Sequence, residues 1–281
     1  MTEMEKSEKL GVEGTYLSRN LREKAEKNGH WVVANYVCDE DDVIARKYEN
    51  GGFQVASELK NGPDWRLFQE LTAQADAIIT GGAYLKRFAA LGEKAENVID
   101  QFAEGGQFAD LGRWREEHGL KRNPDIVVVS RSLDFDIPPA ALEGGRRVLV
   151  FTTDSSAVSK KAEEYRNLGA EVFGAGEVGV DGRKMIDYLT REAGYKVIKM
   201  TTGPRVLQIL LDADALDELY ITRVNRRIEA PESDVQRVLI GGGRLRTLPG
   251  FKYHHILHQE GVKVADGKIV SQDFGVYERV R

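Results

Sequence analysis

VIKMTTGPRVLQILLDADALDELYIT, residues 197–222, reads as a strand, a glycine turn, a helix and a second strand. Lys196–Lys199 supplies the first strand, and Pro204 suits a first helical position. Val206, Ile209 and Leu210 then recur at helical spacing before the strand Leu216–Ile221. Two strands joined through a helix by short turns form a parallel crossover, so this stretch sets the fold class. The pattern repeats outward from it. Ile126–Val129 and Val148–Thr152 are continuous runs of the kind expected for strands covered on both faces. Thr153–Ser155 opens a helix closed by Gly169, Glu171–Phe173 is a strand, and Asp181 opens a helix closed by Gly194. On the amino-terminal side Trp31–Cys38 is the first firm strand. Asp64 can cap a helix with Trp65, Phe68, Leu71 and Ala75 on one stripe, and the strand Ala77–Thr80 runs into Gly81 and Gly82.

The predicted architecture is therefore α/β, a mixed, mainly parallel sheet with helices on both faces. Val238–Ile240, His255–Leu257, Val262–Val264 and Val276–Val280 are separated by glycine-containing turns and predict an antiparallel C-terminal edge. Residues 1–28 are polar apart from Val12, Tyr16, Leu17 and Leu21 and read as an N-terminal arm. Residues 29–281 read as one domain, with a helical insertion at 91–122 that is rich in Glu, Lys, Arg and Gly.

Composition narrows the function classes. The 281 residues carry a formal charge of −5, which argues against broad contact with nucleic acid because phosphate binding needs concentrated Lys and Arg. Cys38 is the single cysteine, so no internal disulfide forms, and no apolar run approaches the roughly 20 residues of a membrane span. MTEMEKSEKL is charged and does not read as a secretory signal. The expectation is a cytoplasmic protein with neither nucleic acid nor membrane as partner.

Open α/β sheets bind ligands at the carboxyl ends of their strands. Three such ends stand out. Gly81, Gly82, Ala83 and Tyr84 would let a ligand approach the backbone. Ser130 and Arg131 offer a hydroxyl and a guanidinium suited to a phosphate monoester. Thr201, Thr202, Gly203 and Pro204 open a helix whose amides and dipole favour an anion. Each has a plain structural alternative, namely a turn, a surface ion pair and an ordinary cap. No GxGxxG follows the first strand and no GxxxxGK[ST] is present. His254, His255 and His258 have spacing unsuited to a shared metal, and Asp39–Asp42 lacks the alternation of a calcium loop and reads as a solvated turn, so no metal is expected. Carboxylates beside Cys38 would raise its thiol pKa, which makes it a poor nucleophile.

Taken in order, these segments resemble the pyrimidine reductases of riboflavin biosynthesis. The resemblance is carried by DWRLFQELTAQADAIITGGAY (64–84), PDIVVVSRSLDF (124–135), the 197–222 stretch and VLIGGG (238–243). It implies a dihydrofolate-reductase-like fold, usually a homodimer, that reduces a phosphorylated heterocycle with NADPH. It would set the cofactor against Gly81, Gly82, Ala83 and Tyr84, with the adenosine phosphate near Ser130 and Arg131. The pyrophosphate would lie at Thr202, Gly203, Pro204, Arg205 and Val206. Substrate would lie near Asn35 and Asp39, with Asp39 the candidate catalytic proton donor or orienter. The implied reaction is that of a 5-amino-6-(5-phosphoribosylamino)uracil or diaminopyrimidine reductase. The family's Ser-Leu-Asp-Gly-Lys stretch is replaced here by VCDEDDVIA (37–45). That change leaves two alternatives open, a reductase of another heterocycle or pterin-like compound and a catalytically silent ligand-binding homologue.

Overall fold

The continuous apolar runs form the middle of a nine-stranded sheet. The computed structural model describes residues 11–47, 52–91, 102–240, 243–244 and 248–281. In chain order the elements are α1 (Leu21–Asn28), β1 (Trp31–Cys38), β2 (Val43–Lys47), β3 (Phe53–Gln54), α2 (Gly62–Gln74), β4 (Ala77–Gly81), α3 (Gly82–Leu91) and α4 (Ala109–Glu117). They continue with β5 (Asp125–Val129), β6 (Val148–Thr152), α5 (Asp154–Ala157), α6 (Lys160–Asn167), β7 (Glu171–Gly174), α7 (Gly182–Asp187), β8 (Val197–Met200) and α8 (Pro204–Asp212). The last are β9 (Glu218–Val224), β10 (Val235–Arg237), β11 (Leu239–Ile240), β12 (Gly243–Arg244), β13 (Phe251–Lys263) and β14 (Ile269–Arg279).

The sheet order is β13-β14-β9-β1-β8-β4-β5-β6-β7. From β9 to β7 every pairing is parallel, and β14 and β13 add antiparallel at the β9 side. The antiparallel edge differs in detail from the prediction. His255–Leu257 and Val262–Val264 are not separate strands; residues 251–263 form one strand with two register shifts, at His255/Leu257 and Gln259/Val262. The bulges let polar His258, Gln259 and Glu260 sit inside a continuous strand.

Alternation along β1 divides the core. Val32, Ala34 and Tyr36 face α7 and α8 through Met185, Leu189, Val206 and Leu210. Val33 faces α2 through Leu67 and Leu71, in a cluster that also takes in Val12, Tyr16 and Leu21 of the N-terminal segment. That segment is held by side chains of α2. Glu70 accepts the amides of Gly14, Tyr16 and Leu17, and Gln74 accepts that of Leu21 while donating to Tyr16 O.

Helix α2 starts one turn before Asp64. Asn61 is its cap, its Oδ1 accepting the Asp64 amide at 2.9 Å, which puts Asp64 inside the first turn. The far end is closed by Arg115 of α4, whose buried guanidinium donates to the carbonyls of Thr72, Ala73 and Ala75. The described part of the predicted insertion thus buttresses the outer face of α2, with Phe102, Phe108 and Leu111 packed on Ala73. Its stretch 92–101 lies outside the described residues, as do Gly241 and Gly242 of the 238–243 motif and residues 1–10 of the arm. Among the described residues, no helix is long and apolar enough to cross a membrane.

Candidate functional site

Parallel pairing brings the carboxyl ends of β1, β8, β4 and β5 into one row, because β4 lies between β8 and β5 and β1 pairs the other edge of β8. All three predicted tips therefore adjoin. A β-carbon on Gly81 would stand 3.2 Å from Thr202 Oγ1, and one on Gly82 would stand 2.9 Å from Ser130 Oγ and 2.8 Å from the Phe135 ring. Side chains larger than hydrogen would close this junction.

At the β8 tip, Gly203 precedes Pro204 and opens α8 with no side-chain cap; Pro204 has no N–H and the Val206 amide donates to Gly203 O, which leaves the Gly203 and Arg205 amides for an anion. Tyr36 fixes the turn by donating to Thr202 O at 2.9 Å. Thr201 is tied to β4 through its amide and hydroxyl, both donating to Ile79 O. Arg205 and Arg131 are exposed, and neither guanidinium forms an ion pair among the described residues. Ser130 Oγ accepts the Leu133 amide at 3.2 Å and keeps its own proton to donate. Ala83 is exposed, whereas Tyr84 and Val206 are buried in the two core clusters, so these two can offer a ligand only backbone.

The small sheet β10-β2-β3, which the short polar strands did not announce, stands over the same edge. Phe53 O accepts from Arg87, and Gln236 lies beside Gly203. Register continues Ala34–Met200–Ile79 by one step to Asn35 on β1 and Thr80 on β4, on the face below α2. Asn35 Oδ1 and Thr80 Oγ1 are buried without a hydrogen-bond partner among the described residues. Buried polar atoms of this kind call for a partner, because leaving them dry costs about 1–3 kcal/mol each. Asp64 reaches this region from the first turn of α2, within electrostatic range of Lys199 and Cys38.

Lys199 is fully buried and donates to Phe68 O at 2.6 Å and Thr72 Oγ1 at 2.7 Å, with its ammonium 3.1 Å from the centre of the Phe68 ring. Burial pushes its pKa well down, and Asp64 opposes that shift. A lysine inside the otherwise apolar VIKM run was the signal for it. Asp64, Thr80 and Lys199 were not among the predicted site residues. Asp64 reads as a cap in the sequence, and Thr80 comes onto one sheet face with Asn35 only because β8 pairs both of their strands.

The acidic turn is built differently from the expectation. Asp39 and Asp42 are each only 1% exposed, so the turn is not solvated. Asp39 Oδ1 accepts the amides of Asp41 and Val43, and Oδ2 accepts that of Ile228 at 2.9 Å. Arg223 bridges Asp39 O and Asp42 Oδ1. Both carboxylate oxygens of Asp39 accept backbone amides, which makes it a loop clamp and leaves it badly placed to deliver a proton or to meet substrate. Cys38 beneath it is pushed up to about 12, first by burial and then by Asp42, Asp39 and Asp64.

A mainly parallel sheet with an antiparallel hairpin at one edge, and glycine- and amide-lined tips on β4, β5 and β8, is the dihydrofolate-reductase-like fold. Residues 36–224 match the family described as the RibD C-terminal domain, and the chain belongs to that family. Among solved structures it is similar to a pyrimidine reductase-like protein from Corynebacterium diphtheriae. That match has a TM-score of 0.62 at 18% identity and covers 91% of this chain and 94% of the other. It is similar to Acinetobacter baumannii RibD (TM-score 0.57, 11% identity, 92% of this chain), of whose length it spans 60%. The yeast riboflavin biosynthesis reductase Rib7 follows with a TM-score of 0.52 at 12% identity, over 89% of this chain and 90% of its own. Comparison with curated proteins finds no match.

Proposed function

We propose that the chain is an NADPH-dependent reductase of riboflavin biosynthesis acting on 5-amino-6-(5-phosphoribosylamino)uracil or the corresponding diaminopyrimidine. The observation that carries this reading is the junction of Gly81, Ser130 and Thr202–Gly203 on three neighbouring strand ends. The names of the Corynebacterium and yeast neighbours point the same way.

The residues fit a dinucleotide. Gly81 and Gly82 keep the edge open, the Gly203 and Arg205 amides at the start of α8 suit a pyrophosphate, and the exposed Arg131 and Arg205 supply positive charge. When bound, the cofactor supplies the hydride. The chain's own work is to hold both partners in contact and to manage a proton. Asn35 and Thr80 would pair with the substrate's polar edge, and Asp64, not Asp39, would handle the proton. The protein would work in the cytoplasm as a homodimer on a phosphorylated small molecule.

A reductase of the same fold acting on another heterocycle has one observation in its favour. Arg223, Arg227 and Arg237 at the β1–β2 turn are all engaged by its carboxylates and carbonyls, so that turn offers a substrate phosphate little. Titration with NADPH and NADH, followed through tryptophan fluorescence, tests the cofactor reading; silence toward both would overturn it in favour of a silent homologue. Oxidation of NADPH on adding the ribosylamino-pyrimidine phosphate, and not with a pterin, then selects the substrate.

A further inference from the structure

The loop that leaves β5 contains a strained residue whose cause lies on another element. Leu133 has φ of 54°, in the left-handed region that a bulky side chain rarely adopts, yet it is almost fully buried. Such strain persists only where surrounding contacts over-determine it. Here the contacts come from Tyr165 on α6, itself 1% exposed. Its hydroxyl lies 2.8 Å from Leu133 O and 2.6 Å from Phe135 O, and its ring is 5.0 Å from that of Phe135. One hydroxyl proton shared by two carbonyls two residues apart pulls the loop into a tight bend.

The bend has a consequence at the site. Leu133 N then donates to Ser130 Oγ, and the Phe135 ring and Ser130 Oγ both fill the space beside Gly82. Arg131, between them, has its backbone oxygen held by Thr152 and Ser156 while its side chain is exposed. The β4 and β5 tips are thus one bracket, and Tyr165 on α6 is its pin.

We propose that Tyr165 is a positioning residue that bends the 130–135 loop so that Ser130 and Arg131 together present a phosphomonoester site beside Gly82, and so sets the preference for a 2′-phosphorylated dinucleotide. The inference rests on the cofactor reading above. It predicts that the hydroxyl, which touches no ligand, acts on phosphate discrimination and not on dinucleotide binding in general.

The test uses the full chain with Tyr165→Phe, which keeps the ring in the core, and with Tyr195→Phe as a matched control. Tyr195 is also buried and donates to Asp125 at 2.8 Å, at the opposite end of β5. Affinities for NADPH and NADH are read from tryptophan fluorescence, and amide hydrogen exchange is followed over residues 130–136 in the free protein. Tyr165→Phe should weaken NADPH by about tenfold, leave NADH within about twofold, and speed exchange in the loop, as expected for loss of one buried hydrogen bond. Tyr195→Phe should leave the cofactor ratio and the loop's exchange unaltered. An unchanged NADPH-to-NADH ratio in Tyr165→Phe, or an equal change in Tyr195→Phe, overturns the proposal while the cofactor reading stands. A wild-type protein that binds neither dinucleotide removes both.

Discussion

Thr202 Oγ1 lies 3.2 Å from the point that a β-carbon on Gly81 would occupy, so a side chain there would crowd the junction of the β8 and β4 tips and Thr202 would have to give way. Gly81→Val would push a branched side chain into that junction and over the row of strand ends. Dinucleotide affinity should fall by at least tenfold, roughly 1.4 kcal/mol, with a far-ultraviolet circular dichroism spectrum like that of the parent. Fluorescence titration beside a thermal melt checks this; a folded variant with parental affinity would put the cofactor elsewhere.

The parallel body was legible because its strands are short continuous runs, such as IVVV at 126–129 and VLVFT at 148–152, bounded by glycine turns and cap residues. The adjacency of Gly81, Ser130 and Gly203 followed from strand order alone. What escaped was set by distant partners. Asp39 looks like a solvated acid until the Ile228 amide, 189 residues away, is found on its carboxylate. Strands of two to five residues such as FQ, VQR and VIARK carry too little pattern to declare the small sheet. Asp64 and Asn61 are both good caps, and only the hydrogen bond decides between them.

Asp39 and Asp64 should respond oppositely to the same substitution. In Asp39→Asn an amide nitrogen must face one of the three backbone N–H groups now bound, at a cost of about 1–3 kcal/mol in stability. Asp64→Asn should leave the melting temperature within a few degrees and lower kcat by one to two orders of magnitude, the usual scale for losing a proton-handling group. Melting curves and steady-state rates on the two variants separate the roles. A stable Asp39→Asn protein with lost turnover, beside an active Asp64→Asn one, would return the chemistry to Asp39.

Glu70 is fully buried, and its carboxylate gathers three amides of the N-terminal segment, at 2.6 Å from Gly14, 2.9 Å from Tyr16 and 3.3 Å from Leu17, beside Arg66 at 3.0 Å. Removing it leaves those donors dry or frees the segment to reach water. Glu70→Ala should cost roughly 3 kcal/mol in urea unfolding and open residues 11–20 to limited proteolysis. Stability and cleavage pattern both equal to the parent would mean that packing of Val12, Tyr16 and Leu21 holds the segment without the carboxylate.

Cys38 supplies a test of burial through pH. Its thiol is pushed up to about 12, chiefly by desolvation, whereas in an unfolded chain it ionises near 8.5. The folded state therefore keeps a proton that the unfolded state gives up. The group's contribution to stability is whole below about pH 8.5 and shrinks by about 1.4 kcal/mol for each unit above it, until the folded thiol also ionises. Buried tyrosines act in the same sense, Tyr36 among them, but begin only near pH 10, where an unfolded phenol ionises. Buried Lys199, which the unfolded chain protonates more readily than the folded one, acts in the opposite sense over the same interval, between about pH 8.5 and 10, so the thiol's share is the difference between the parent and a variant without it. Urea midpoints of the parent protein should fall more steeply across that interval than those of Cys38→Ala, after subtracting the constant offset of the small cavity. Parallel curves would mean that the thiolate is reached by water in the folded protein, and that the strand end beside Asp39 and Asp42 opens at alkaline pH.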